Sequence, residues 1–169
     1  MQTRLMRTLA SLPFLLLIAV AVTLACGGDG DDEEHIEHMA PPGVVSPKPS
    51  DATQVNVTLR EWAVAPGQSS IAAGRIYFLA SNVGPDHPHE MVIIRSDLSP
   101  LNLPFRDNKV PEEEVDVVDE IEEFAPRSSA SLTVNLTPGK YLLICNISEE
   151  DPQIGSHYKK GMVAGFTVE

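Results

Sequence analysis

The sequence predicts an all-β domain, an antiparallel sandwich or barrel, and three observations predict it. Short runs that are apolar, or that alternate apolar with polar residues, recur from Val55 to Val168. Gly, Pro and Asn clusters punctuate them at the spacing of short strands joined by turns. No long segment carries a convincing helical period. Residues 53–169 number about 117, enough for one ordinary domain with its own core.

Val55, Val57 and Leu59 alternate with polar neighbours up to Trp62, the pattern of a half-buried strand. Ile76-Tyr77-Phe78-Leu79-Ala80 is a continuous apolar run, entered through Ala73-Gly74 and left through the turn cluster Asn82-Val83-Gly84-Pro85. Met91 to Ile94 is the next run, closed by Ser96-Asp97. Pro111 to Pro126 is ambiguous. The three-residue spacing of Val115, Val118, Ile121 and Phe124 suits a short amphipathic helix, whereas Val115 and Val117 suit an edge strand. A short strand around 115–121, after an irregular 97–112 segment, is the expectation. Leu132, Val134 and Leu136 alternate again, and Thr137-Pro138-Gly139 turns the chain into an apolar strand, Tyr141 to Ile144, with Cys145 at its end. A strand over Val163 to Val168 closes the chain.

The N-terminal region reads as an export leader and a tether. Arg4 and Arg7 precede an apolar run, Leu12 to Val22, too short for a comfortable membrane span. Thr23-Leu24-Ala25-Cys26 resembles a bacterial lipobox, which implies a signal peptide over 1–25 and lipidation of Cys26. Thr23 departs from the usual aliphatic residue, and an uncleaved N-terminal anchor is the alternative. Either way the domain is expected outside the cytoplasm; the lipobox reading places it on the bacterial cell membrane, facing the periplasm or the outside. Residues 26–52 are acidic and glycine-rich, then proline-rich, and are expected to form a disordered tether. His35, His38 and Met39 within it could capture a metal loosely; two solvated histidines in an acidic arm are the plainer reading.

Charge and cysteine usage narrow the function. The chain carries a formal charge of −12; without residues 1–25 it has 10 basic against 24 acidic side chains, formally −14. Such a surface repels phosphate backbones, so no nucleic-acid partner is expected. The acidic run from Glu112 to Glu123 could dock a basic redox partner, though such runs more often form a solvated face. With Cys26 assigned to the leader, Cys145 is alone and has no disulfide partner, and a lone thiol in an oxidising compartment asks for another explanation.

Metal ligation is one. Cys145, His157 and Met162 put a thiolate, an imidazole and a thioether on one loop, a soft set that suits copper in a His₂Cys site with a weak axial Met. Such a site needs a second histidine, and His87-Pro88-His89 offers two candidates.

Asn82-Val83-Gly84, then His89-Glu90-Met91-Val92-Ile93-Ile94, and later Pro138-Gly139-Lys140-Tyr141 with Cys145, His157 and Met162, together resemble the cupredoxins, most of all the plastocyanin- and azurin-type blue copper proteins. The resemblance covers most of residues 53–169. It implies a Greek-key β-sandwich or barrel of about seven to eight strands. It also implies one copper ion on His89, Cys145, His157 and Met162. His89 is preferred over His87 because in that family the first histidine opens an apolar strand. A backbone donor near Asn82 or Glu90 is implied for the thiolate. Eleven residues separate Cys145 from His157, more than in the short-loop members, and the acidic stretch among them, Glu149-Glu150-Asp151, bears on how exposed His157 is.

The function expected from these readings is a lipid-anchored, monomeric one-electron carrier serving membrane-bound redox partners, and not an enzyme. Copper storage, sensing or delivery is the alternative, and a metal-free structural module is a third. A copper oxidase or nitrite reductase would need a second copper site with more histidines than this domain holds.

Overall fold

In the computed structural model of the chain, residues 39–169 are described. Nine strands follow in order: β1 (Thr53–Arg60), β2 (Ala63–Pro66), β3 (Ser70–Ile71), β4 (Gly74–Asn82), β5 (His89–Arg95), β6 (Asp116–Phe124), β7 (Ser128–Leu136), β8 (Gly139–Ile144) and β9 (Val163–Val168). A single 3₁₀ turn, Glu112–Glu114, is the one helical element among the described residues. The strands form two sheets, ordered β2-β1-β4-β7 and β3-β9-β8-β5-β6. The leader, Cys26, His35 and His38 lie outside the described residues. Among the described residues no helix is long and apolar enough to cross a membrane.

The expected all-β sandwich is present, with two differences. It has nine strands rather than seven or eight, because β2 and β3 are too short to show an alternation. The sheets are mixed rather than purely antiparallel: β1 pairs with β4, and β3 with β9, in parallel. Between β1 and β4 the chain visits the other sheet at β3, so β4 re-enters in the direction of β1.

The hydrophobic pattern explains the layers. β1 alternates, and its buried residues Val55, Val57 and Leu59 pack in one cluster with Met91 and Ile93 of β5, Leu143 of β8 and Cys145 just beyond it. Each large apolar side chain sealed there contributes about 1.5–3 kcal/mol. β5 and β8 instead read as continuous apolar runs because both their faces are covered. Val92, Ile94, Leu142 and Ile144 point the other way, into a second cluster with Leu103, Val110 and Tyr158. The irregular 97–111 segment therefore forms a lid over the outer face of the second sheet. Tyr158 pins it by accepting the Leu103 N–H at 3.1 Å and donating to the Pro100 carbonyl at 3.3 Å.

The ambiguous acidic stretch resolves as the 3₁₀ turn followed by β6, a strand longer than expected that pairs with β5 and forms the edge of its sheet. Ile121 and Phe124 turn inward while most of its carboxylates face solvent, which blunts an otherwise open edge.

Residues 41–51, read from sequence as the end of a free tether, lie along the domain. The Pro41 and Val44 carbonyls accept the Ala125 and Ser131 N–H groups at 2.8 and 3.0 Å. Ser128 and Ser131 hydroxyls accept the N–H groups of Gly43 and Ser46 at 3.1 and 2.8 Å, and the Tyr77 hydroxyl donates to the Ser46 carbonyl at 2.8 Å. A Cβ on Gly43 would run into the Ser129 carbonyl, so glycine permits the close approach. Prolines suit this position: an edge segment can satisfy its neighbour mainly with carbonyls, and proline retains those.

Candidate metal centre

Local structure brings the site residues to one end of the sandwich. His89 is the first residue of β5, paired with Phe124 of β6, and a bulge between His89 and Met91 re-aims the strand end. Cys145 follows directly on β8, whose residues Ile144 and Leu143 pair with Val92 and Ile93 of β5. Pairing of these neighbouring strands thus sets the separation of His89 and Cys145. The loop that follows is closed on itself. The Met162 carbonyl accepts the Cys145 N–H at 3.1 Å, and the Met162 N–H donates to the His157 carbonyl at 3.1 Å.

The eleven-residue insert between Cys145 and His157 is ordered as a small hairpin. The Ile147 and Gly155 carbonyls accept the His157 and Glu149 N–H groups at 3.0 and 3.1 Å, and Ser148 bridges to Ser156. At its tip, the Asp151 carbonyl accepts the N–H groups of Ile154 and Gly155, and the Asp151 carboxylate accepts that of Gln153 at 2.8 Å. Gly155 supplies the left-handed conformation there, with φ of 59°.

His89, Cys145 and His157 lie together, with one ligand atom from each within 4.8 Å of the others. Cys145 Sγ is 3.4 Å from His157 Nδ1 and 3.9 Å from His89 Nδ1. All three side chains are fully buried, as is Met162, which shares the cluster of buried residues that contains Cys145. His87 is not part of the group: its Nδ1 faces Glu149 at 2.8 Å.

Electrostatics favour a neutral donor set. Burial, reinforced by His157, pulls His89 down to about 4. Burial also lowers His157, against the opposing pull of Glu149. Both imidazoles are therefore neutral near pH 7. Burial pushes the Cys145 thiol well above its usual range, with Glu90 adding to the effect and the N–H groups of Glu90 and Ile147 opposing it. Those two N–H groups are aimed to support a thiolate, and a bound cation is what would offset its burial. His89 Nε2 is buried without a hydrogen-bond partner; Glu61 Oε1 stands 4.0 Å away, a dipolar contact rather than an ion pair because the imidazole is neutral. Two imidazoles and a thiol facing one point, in a pocket closed to water, fit a soft, thiophilic ion such as copper. His89, Cys145 and His157 form a candidate copper site.

Of the two positions considered for tuning the sulfur, Glu90 supplies the backbone donor. Its carboxylate also accepts the Asn146 N–H at 2.7 Å, tying the ends of β5 and β8 together, and burial pushes that carboxyl up to about 7. Asn82 instead shapes the turn before His89. Its side-chain amide donates to the His87 carbonyl at 2.9 Å, and its oxygen accepts the Gly84 N–H at 3.0 Å.

Glu61 and Trp62 were not singled out by their sequence context, and Glu149 was noted only as part of an acidic stretch. Glu61 accepts the His87 N–H at 2.9 Å, and a Cβ on Gly84 would stand 2.5 Å from its oxygens, so a side chain there would push the carboxylate aside. Burial acts to raise the Glu61 pKa, but the N–H groups of His87, Asp86 and Glu61 itself outweigh it and hold the carboxyl below its usual range. Trp62 packs edge-on against His157, ring centroids 4.8 Å apart, and against His87 at 5.1 Å. Glu149 Oε1 lies 2.9 Å from His157 Nε2.

No protein-family description and no curated protein matches the sequence. Among solved structures, the chain is similar to a dithionite-reduced auracyanin from the photosynthetic bacterium Roseiflexus castenholzii. That match has 18% identity and a TM-score of 0.49 and covers 70% of this chain and 98% of the other. Auracyanin B is similar at 22% identity and a TM-score of 0.47, covering 77% and 98%. An azurin (Az-iso2) from Methylomonas sp. strain J is similar at 12% identity and a TM-score of 0.45, covering 72% and 99%.

The protonation states predict the proton yield of metal loading. At pH 7 the thiol holds a proton and the imidazoles do not, so each Cu(II) bound releases about one proton. Calorimetric titration in buffers of different ionisation enthalpy measures this number. A yield of two or more would mean a cationic histidine in the free site; a yield of zero would mean that Cys145 is no ligand.

Proposed function

We propose that this protein is a type 1 (blue) copper protein, a one-electron carrier tethered at a membrane surface between redox complexes. The observation that carries this reading is the convergence of Cys145 Sγ with His89 Nδ1 and His157 Nδ1 in a fully buried pocket. Copper, when bound, supplies a centre that accepts and returns one electron, cycling between Cu(II) and Cu(I).

The chain's own residues account for the rest. With copper bound, His89 and His157 would supply nitrogen lone pairs and Cys145 a thiolate, and Met162, buried in the same cluster as Cys145, would supply a thioether. Cu(II) and Cu(I) favour different coordination, so a carrier needs donors that barely move when the electron does. Strand pairing of β5 with β8, the Cys145–Met162 backbone bond and the hairpin between Cys145 and His157 supply that rigidity. Full burial of the donors keeps water out and keeps the ion from exchanging, which favours electron traffic over copper delivery.

The finer features of the reading rest on sequence. Cys26 would carry the lipid that holds the domain on the bacterial surface outside the cytoplasm, and the exposed carboxylates of β6 would suit basic redox partners. The protein makes and breaks no bonds in a substrate, and it acts as a monomer. Membrane fractionation tests the anchor: Cys26→Ala is expected to release the protein, and unchanged membrane association would instead mean an uncleaved apolar segment.

Voltammetry of the copper-loaded protein separates carrier from courier. A carrier shows one reversible one-electron wave and keeps its copper through repeated cycles in the presence of a Cu(I) chelator. Loss of copper to the chelator on reduction, within the time of a few scans, would favour copper trafficking instead. In the carrier, Met162→Leu is expected to retain copper and raise the reduction potential, because the thioether that is lost favours Cu(II) by its donation.

A further inference from the structure

The outer edge of His157 is closed by the hairpin. Glu149, on the first arm, folds back so that a single carboxylate oxygen, Oε1, lies 2.9 Å from His157 Nε2 and 2.8 Å from His87 Nδ1. A carboxylate only accepts, so both nitrogens facing it carry hydrogen. For neutral His157 this leaves the lone pair on Nδ1, the nitrogen that faces Cys145 Sγ at 3.4 Å. Trp62 covers the imidazole from the side, and the His157 side chain has no solvent exposure, whereas Glu149 and His87 keep about a quarter of theirs.

We propose that Glu149, held by His87, is a positioning residue that fixes the His157 tautomer and makes its imidazole a stronger donor to the metal, lowering the reduction potential. The inference rests on the copper reading of the site. A hydrogen bond from Nε2–H to a carboxylate shifts electron density in the ring toward Nδ1 and brings a negative charge within reach of the ion, and both effects favour the more highly charged Cu(II) over Cu(I). His87 gives the carboxylate its second partner. It thereby limits the rotamers Glu149 can take, although His87 itself lies outside the donor group. This role explains why the chain carries an acidic residue at this place in a longer loop: the hairpin register that pairs Ser148 with Ser156 sets Glu149 over the ring edge.

The test is Glu149→Gln in the copper-loaded protein, with the unaltered protein alongside. Glutamine keeps the size and removes the charge. Cu(II) affinity is expected to fall by about 10- to 100-fold, with a smaller fall for Cu(I), and each tenfold difference between the two raises the potential by about 59 mV. Glu149→Asp, which restores the charge at a shorter reach, should recover part of the change. An unchanged potential, or an equal loss of affinity for both oxidation states, would overturn the proposal and leave Glu149 a loop-packing residue. Should Glu149→Gln fail to fold, His87→Ala decides: it removes the partner that orients Glu149 and should raise the potential, and no rise would overturn the proposal. Failure of the copper reading is recognised separately, because the unaltered protein would then show no thiolate-to-copper absorption at all.

Discussion

The arrangement on which the rest of the structure depends is a single buried thiol set between two neutral imidazole nitrogens. Polar groups in a dry interior are costly unless satisfied. Here the Cys145 thiol is pushed up by burial, His89 Nε2 has no partner, and both Nδ1 atoms turn toward the sulfur. An apolar core would be the cheaper filling for this space. The neighbouring elements converge to hold the group: β5 and β8 pair through Val92 to Arg95, and the carboxylate of Glu90 joins their ends. Asn146 fastens the lid beyond, accepting the Val110 N–H and donating to its carbonyl.

The loop from Cys145 to Met162 therefore works as a frame. Its two ends are joined by the Cys145–Met162 backbone bond, and Tyr158 locks its far side to the lid. Gly161, with φ of 114°, makes the turn that returns the chain to β9. Lys160 lies over the ring of Trp62 at 4.9 Å and helps to fasten that ring beside His157. Donors mounted on a frame of this kind keep their geometry when charge changes, and that is the physical requirement of fast electron transfer.

Much of this was legible in the sequence, for identifiable reasons. Continuous apolar runs mark β4, β5 and β8, and alternation marks β1 and β7, because burial on two faces or one writes itself directly into residue order. Cys145 stands at the end of one such run, and His89 opens another, the place the cupredoxin resemblance implies for a first histidine. His157 and Met162 were noticed because they follow the lone thiol. What escaped depends on contacts between residues distant in sequence. Glu149 looked like one more acid in an acidic insert, and only the hairpin register aims it at His157 and His87. Glu61 and Trp62 lie just past β1, and nothing local predicts that they pack beside residues 87–89 and 157. Residues 41–51 have the composition of a linker, but β7 offers them the Ser131 N–H and the Ser128 and Ser131 hydroxyls as partners, and composition does not record a neighbouring edge.

The central claim is that Cys145 and the two imidazoles would hold one copper ion through a thiolate and two nitrogens. The visible and electron paramagnetic resonance spectrum of the Cu(II)-loaded protein tests it most directly. An intense thiolate-to-copper absorption with narrow copper hyperfine splitting, both abolished in Cys145→Ser, is the predicted result. A colourless protein, or one with the wide splitting of an ordinary tetragonal Cu(II) site, would contradict it.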